Sequence, residues 1–251
     1  MYKLESLGCI PDDIDKYGGK AVYLSCLIKH NFPVPYGVVI PSDVFQDYKN
    51  AKIEESIFDN ITEQIDGIFL QKNKHIIFRS SANIENSDEY SSAGVFSSFV
   101  YDPKISVKEH IKKVWESSED IYANSYFDLV EMDKSTIMMG VIIQEYIKGN
   151  LTLLIQSYDI INDKPQLLLE YTNKGISCIV DGTTNADLLY VDYDGQIVDG
   201  IRNNVISTNL LFKIASDCKK MEHLFGAHVE VEAQVLGDNI YYLQVRKLFR
   251  S

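Results

Sequence analysis

Three groups of residues in this chain have types and spacing that suit chemistry on phosphate. The first is Tyr17-Gly18-Gly19-Lys20, where two glycines precede a lysine that opens an apolar stretch. Glycines let the backbone approach a phosphate closely, and the lysine supplies a point charge. The segment lacks the Gly-x-x-x-x-Gly-Lys-Ser/Thr spacing of a P-loop. A solvated lysine at a flexible turn is therefore the other reading. The second is Arg79, which ends His75-Ile76-Ile77-Phe78-Arg79 and is followed by two serines. The C-terminal end of a strand is a common place for ligand contacts. A phosphate ligand and a surface salt bridge both fit Arg79.

The third group lies near the C-terminus, in His228-Val229-Glu230-Val231-Glu232 and Tyr242-Leu243-Gln244-Val245-Arg246. Alternate residues of a strand share a face. This predicts His228, Glu230 and Glu232 on one side of the first strand, and Tyr242, Gln244 and Arg246 on one side of the second. Glu230 and Gln244 offer oxygen ligands for Mg²⁺ beside a phosphate-binding Arg246. A surface sheet with Glu–Arg cross-strand pairs is the alternative. A shared site requires opposed residue numbers to sum to an even value, as when 230 faces 246. A regular two-residue turn at Gly237-Asp238 would break that parity, so an odd-length loop or a bulge is expected.

The elements that must position these residues follow from periodicity. Ala21, Leu24, Leu27 and Ile28 predict a helix over 20–30, and further helices are expected over 43–51, 53–70, 106–131 and 207–225. Strands are expected over 38–40, 75–79, 95–100 and 138–147, with Ser80-Ser81-Ala82-Asn83 leaving the second as a loop. Residues 84–94, ending at Ala93-Gly94, read as a mobile loop. Gln144-Glu145-Tyr146-Ile147 leaves an apolar strand and joins the two compositional halves. Backbone groups at such a junction can read the edge of an adenine; an edge strand leaving the core is the alternative. Beyond it, strands are expected over 151–158, 166–171, 176–180, 187–193 and 196–199, with turns at Asn162-Asp163, Asp181-Gly182 and Asp194-Gly195. The fold class expected is α+β, with a helix-richer first half and a sheet-richer second half.

A chain of 251 residues can bury a sizeable core. A net charge of −12 argues against non-specific nucleic-acid binding, although a local cluster with Mg²⁺ can still hold phosphate. No apolar run reaches the ~18 residues of a membrane span. No charged n-region with an apolar core opens the chain, so a cytoplasmic location is expected. The four cysteines form no Cys-x-x-Cys pair, which suits reduced thiols.

Taken in order, several segments resemble the ATP-binding domain of the pyruvate phosphate dikinase and phosphoenolpyruvate synthase family. They are Gly18-Gly19-Lys20-Ala21, Phe32-Pro33-Val34-Pro35-Tyr36-Gly37-Val38-Val39-Ile40, Arg79-Ser80-Ser81-Ala82, Ala93-Gly94 and Leu243-Gln244-Val245-Arg246. The match runs over about residues 8–247. The resemblance implies an ATP-grasp-like fold of two subdomains, 1–143 and 144–251, with a nucleotide cleft between them. It implies that Lys20 and Arg79 hold ATP phosphates and that Gln144, Glu145, Tyr146 and Ile147 form the adenine hinge. Glu230 and Gln244 would hold Mg²⁺, and Arg246 would neutralise phosphoryl charge. Lys20, Arg79 and Arg246 are thus the implied catalytic residues.

In that family ATP phosphorylates a histidine on a separate domain, giving AMP and phosphate, and the histidine passes the group to an acceptor domain's substrate. Relatives act on pyruvate, rifamycin antibiotics, glucans or the amide nitrogen of L-glutamine in capsule phosphoramidate synthesis. The last is the leading expectation. Three departures stand out: the family's Gly-Leu-Gly-Glu has no counterpart, with Asn173-Lys174-Gly175-Ile176 standing nearby, Tyr122 stands where an arginine is usual, and His228 replaces an acidic residue. The chain stops just after Arg246, which suits an excised domain or a stand-alone subunit. The rival expectation is an ATP-binding sensor or scaffold module without turnover.

Overall fold

Strand residues alternate between two faces, and that alternation organises both sheets of this chain. A computed structural model describes residues 3–85, 95–173, 186–200 and 205–248. Ala93-Gly94, most of the 84–94 loop, Lys174-Gly175-Ile176, Cys178, the strand expected over 176–180 and the Asp181-Gly182 turn lie outside the described residues. The class is α+β. The chain divides into two compact units, Met1–His30 with Pro35–Tyr146 and Asn31–Val34 with Ile147–Ser251. Among the described residues no helix is long and apolar enough to cross a membrane.

The first unit holds β1 (Glu5–Ser6), α1 (Ile14–Tyr17), α2 (Gly19–Lys29), β2 (Gly37–Ile40), α3 (Ser42–Lys49), α4 (Glu55–Ile68), β3 (Ile76–Ala82), β4 (Ser98–Val100), α5 (Val107–Glu116), α6 (Ile121–Leu129) and β5 (Met139–Glu145). Its antiparallel sheet runs β1-β2-β5-β3-β4. Val38, Ile40, Phe78, Val141 and Ile143 point to one face, where they pack on Phe45, Phe58, Ile61, Ile111 and Trp115 of the helices α3, α4 and α5. The opposite parity puts Val39, Arg79 and Ile142 on the other face, toward α1 and α2.

Two expectations change here. The β3 strand does not end at Arg79: Ser80, Ser81 and Ala82 continue it, paired with Val141, Gly140 and Met139. Small residues at Ser81 and Gly140 leave room for the α1–α2 turn, and a Cβ at Gly140 would lie 2.9 Å from the Tyr17 carbonyl oxygen. Nor is Gly18-Gly19 a flexible turn. Gly18 has φ +80° and a Cβ there would lie 1.9 Å from the Ser81 carbonyl oxygen. The Ala21 N–H donates to Ser81 Oγ at 2.9 Å. The turn is pressed onto β3 and held.

The second unit holds β6 (Leu151–Gln156), β7 (Leu167–Thr172), β8 (Asp187–Val191), β9 (Ile197–Gly200), α7 (Thr208–Phe225), β10 (Val229–Leu236) and β11 (Asn239–Lys247). The antiparallel order is β11-β10-β6-β7-β8-β9. Ser207 caps α7 by accepting from the Leu210 N–H. Leu211, Ile214, Ala215, Cys218 and Met221 form its buried stripe, which suits packing on the face of β10 that carries Val229, Val231 and Ala233. Burial pushes the Cys218 thiol well above its ordinary range, so it is no nucleophile.

The β10–β11 hairpin closes through the two-residue turn Gly237-Asp238, with Leu236 opposite Asn239. A bulge then shifts the register: Ala233 faces Tyr242 but Glu232 faces Gln244, with Leu243 as the extra residue between them. Tyr242 therefore does not share a face with Gln244 and Arg246, as simple alternation predicts. It turns to the apolar side, fully buried, and its hydroxyl donates to Asp217 at 2.7 Å.

Three substitutions test these packing arguments. Gly18→Ala is expected to cost at least about 2 kcal/mol in urea unfolding, from backbone strain alone, with the Ser81 clash adding to it. Gly67→Ala, in α4 with open space around the new Cβ, is expected to stabilise by about 0.5 kcal/mol. Tyr242→Phe removes a hydrogen bond to a charged group and should cost about 2 kcal/mol by the same measurement. A neutral Tyr242→Phe would mean that the bulge is not needed to bury this hydroxyl.

Candidate functional site

Lys20 is the second residue of α2, where the positive end of the helix dipole disfavours a cation. It is nevertheless only 5% exposed. Its Nζ donates to the Ser80 carbonyl oxygen at 2.9 Å and to Glu85 Oε1 at 3.2 Å, with Ser80 Oγ at 3.5 Å. The Glu85 carboxylate also accepts from the Ala82 N–H at 3.0 Å and from the Ser80 hydroxyl at 3.4 Å. A buried ion pair persists only when its remaining hydrogen-bonding capacity is met, and here backbone and hydroxyl groups meet it. Sequence reasoning missed Glu85. Its one signal is a carboxylate three residues beyond Ala82, a spacing that lets it fold back on the strand end.

Arg79 and Gln144 share a sheet face, since Arg79 opposes Ile142 and Ile77 opposes Gln144. Arg79 Nη1 donates to Gln144 Oε1 at 3.4 Å, and Gln144 Nε2 donates to the Pro35 carbonyl oxygen at 3.0 Å. Gln144 is 1% exposed. Its amide ties Arg79 to the Pro35 corner. At the end of β5, the Glu145 N–H donates to Tyr36 O and the Tyr146 N–H to His75 O, both at 2.8 Å. The Glu145 carboxylate pairs with Lys74 at 3.2 Å. Among the described residues, the Ile147 N–H makes no hydrogen bond.

In the second unit the bulge returns Gln244 and Arg246 to the face of Glu232 and Glu230, which they oppose. Gln156 of β6 opposes Glu230, and Glu170 of β7 opposes Leu154 next to Glu232. One face of the sheet thus carries Glu230, Glu232, Gln244, Arg246, Gln156 and Glu170, while the other is apolar. Glu230 Oε1 accepts from Arg246 Nε at 2.7 Å and Nη2 at 2.5 Å. Glu230 Oε2 accepts from Gln156 Nε2 at 3.3 Å. Gln156 Oε1 is buried without a partner. Burial, and then the neighbouring Glu230 charge, raise the Glu170 carboxyl above the ordinary carboxylate range. An orphaned amide oxygen beside two carboxylates is a donor set that suits a hard cation.

Among the described residues no three acidic, histidine or cysteine side chains converge on one metal position. Mg²⁺ on a nucleotide takes most of its ligands from phosphate and water, so one carboxylate and one amide oxygen suffice from the protein. His228 stands just before β10, stacked on Tyr158 and bonded through Nδ1 to Glu222. That contact turns it toward α7.

The profile of the pyruvate phosphate dikinase AMP/ATP-binding domain matches residues 50–209. YvkC, an uncharacterized phosphotransferase of Bacillus subtilis (strain 168), is 21% identical over 92% of this chain. The chain spans 33% of that relative's length. The crystal structure of PH1788 from Pyrococcus horikoshii Ot3 superposes with a TM-score of 0.50 at 12% identity, covering 92% of this chain and 90% of that one. At that identity the likeness concerns the fold alone. D-alanine–D-alanine ligase from Helicobacter pylori gives a TM-score of 0.44 at 16% identity, over 93% of this chain and 54% of that one. With the profile covering more than half of its residues, this chain belongs to the pyruvate phosphate dikinase AMP/ATP-binding domain family, the ATP-binding part of a group of phosphotransferases.

Proposed function

We propose that this chain binds Mg·ATP in an ATP-grasp-like manner and serves a dikinase-type phosphotransfer. Lys20 and Arg79 hold the phosphates, and the Ile147 N–H meets a ring nitrogen of adenine. Glu230 and Gln244 hold Mg²⁺, with the orphaned Gln156 oxygen beside them, and Arg246 neutralises phosphoryl charge. The bound ion would screen phosphate charge and orient the transferring group. The observation that carries this reading is the polar face of the second sheet in a chain of this family. There the hairpin sets Glu230 opposite Arg246 with Gln244 on the same face, and a buried oxygen lacks a partner.

The phosphoryl acceptor we propose is a histidine on another domain or subunit. Water and that histidine together take two phosphoryl groups, so ATP leaves as AMP with one phosphate. His110 does not suit that role. It is fully buried, accepts the Asp102 N–H at Nε2 and meets the Ser106 carbonyl oxygen at Nδ1, so both nitrogens are engaged. L-Glutamine is the first final acceptor to assay. A binding module without turnover is the second reading. It is favoured by Tyr122, 79% exposed on α6, where the family resemblance leads one to expect an arginine.

Thermal unfolding tests the binding step. ATP with Mg²⁺ at about 100 times Kd should stabilise the chain by roughly 2.7 kcal/mol, a shift of several degrees. Lys20→Ala and Arg79→Ala should each reduce the shift, and Glu230→Gln should reduce it only when Mg²⁺ is present. An unshifted wild-type chain would sink the proposal. Turnover is read by chromatography of the nucleotide products. With a phosphohistidine partner, AMP should form in step with phosphate. ADP as the sole product would exclude the dikinase reaction, and binding without any product would leave the sensor reading standing.

A further inference from the structure

The Lys20 ammonium has three protons to donate, and among the described residues its close contacts include two protein groups. The Ser80 carbonyl oxygen lies at 2.9 Å and Glu85 Oε1 at 3.2 Å. The side chains of Lys20 and Glu85 are 6% and 8% exposed. A phosphate oxygen cannot join this arrangement beside the Glu85 carboxylate without placing two anions on one ammonium, and like charges in a buried site disfavour each other. One partner must leave. Ser80 O belongs to β3, whose backbone is locked by pairing with Val141. Glu85 lies beyond the end of β3 on a side chain with three rotatable bonds, so it is the partner able to move.

The donors that Glu85 uses are those of an anion site. Besides Lys20, its two oxygens take the Ala82 N–H at 3.0 Å and the Ser80 hydroxyl at 3.4 Å. An ammonium, a backbone N–H and a hydroxyl converging on one carboxylate are also the groups that bind phosphate oxygens.

We propose that Glu85 is an internal competitor for this site. Its carboxylate occupies the Lys20, Ser80 and Ala82 donors in the nucleotide-free chain and is displaced when a polyphosphate binds. The inference rests on the reading of Lys20 as a phosphate ligand and adds a residue to it. It has an energetic consequence. The binding-competent state, with Glu85 withdrawn, is only a fraction of the free protein, and apparent affinity falls by that fraction. Glu85→Gln keeps the shape and removes the charge. Lys20 then lacks its buried counter-ion until a phosphate arrives.

Calorimetric titration with Mg·ATP on the wild-type chain and on Glu85→Gln tests this, with circular dichroism as the check of folding. The variant should melt below the wild type without ligand, bind ATP about tenfold more tightly and show the larger ATP-induced rise in Tm. A residue that merely orients Lys20 would give the same loss of Tm with unchanged or weaker ATP binding, and that result would overturn the proposal. Absence of binding in both proteins would overturn the phosphate reading of Lys20 and the competitor together. If the variant does not fold, a crystal structure of the wild type with a non-hydrolysable ATP analogue decides the matter. A Lys20–Glu85 contact broken in favour of phosphate supports displacement, and one retained at hydrogen-bond distance refutes it.

Discussion

An unbroken antiparallel ladder closed by a two-residue turn cannot put Glu230 opposite Arg246, because such a turn pairs residues whose numbers sum to an odd value. This chain needs both the tight turn at Gly237-Asp238 and the shared face. The extra residue at Leu243 reconciles them by shifting the register within the hairpin. On the turn side of the bulge, Tyr242 faces the core and Ile240 is buried with it. On the other side, Gln244 and Arg246 face the polar surface while Val245 stays in the core. A single extra residue thus lets one strand serve a hydrophobic core and a charged face with no other change of direction. Bulges often stand where a side chain must be re-aimed at a site.

The same separation of faces explains the energetics of the charges. Lys20, Arg79, Glu85 and Glu230 are all 9% exposed or less. A buried ion pair seldom stabilises a fold more than well-packed apolar residues of the same volume. Stability alone therefore gives little reason for the Lys20–Glu85 and Arg246–Glu230 pairs. Each does hold a cation at a defined point on a rigid element. The buried Gln144 amide does the same for Arg79, by bridging it to the Pro35 carbonyl. Gln144 thus touches the arginine and the chain corner, and it acts through them.

Much of this was legible in the residues. Periodicity locates α2, α4, α5, α7 and most strands, and parity requires a bulge or odd loop if Glu230 and Arg246 share a site. The misses have physical causes. Ser80-Ser81 has the composition of a loop, yet its backbone is paired with Val141 and Gly140; tertiary pairing overrides propensity at a site where small residues admit another chain segment. Alternation places Tyr242 on the wrong face because it cannot locate the extra residue that interrupts it. Glu85 was hidden because a carboxylate in a polar run has no periodicity to betray its partner.

Gly18 changes what the Gly-Gly-Lys segment means. Read alone, its glycines permit a ligand to approach the backbone. In the fold, the backbone that approaches is the chain's own, the Ser81 carbonyl. The glycine conformation lets the α1–α2 turn lie directly on β3, and the Ala21 N–H bond to Ser81 Oγ fastens it there. That contact sets where α2 begins, and α2 sets where Lys20 points. Lys20 then reaches back along the same strand to Ser80. The glycines therefore act on the lysine's position through β3, and a flexible loop at this place would leave the ammonium without a defined partner.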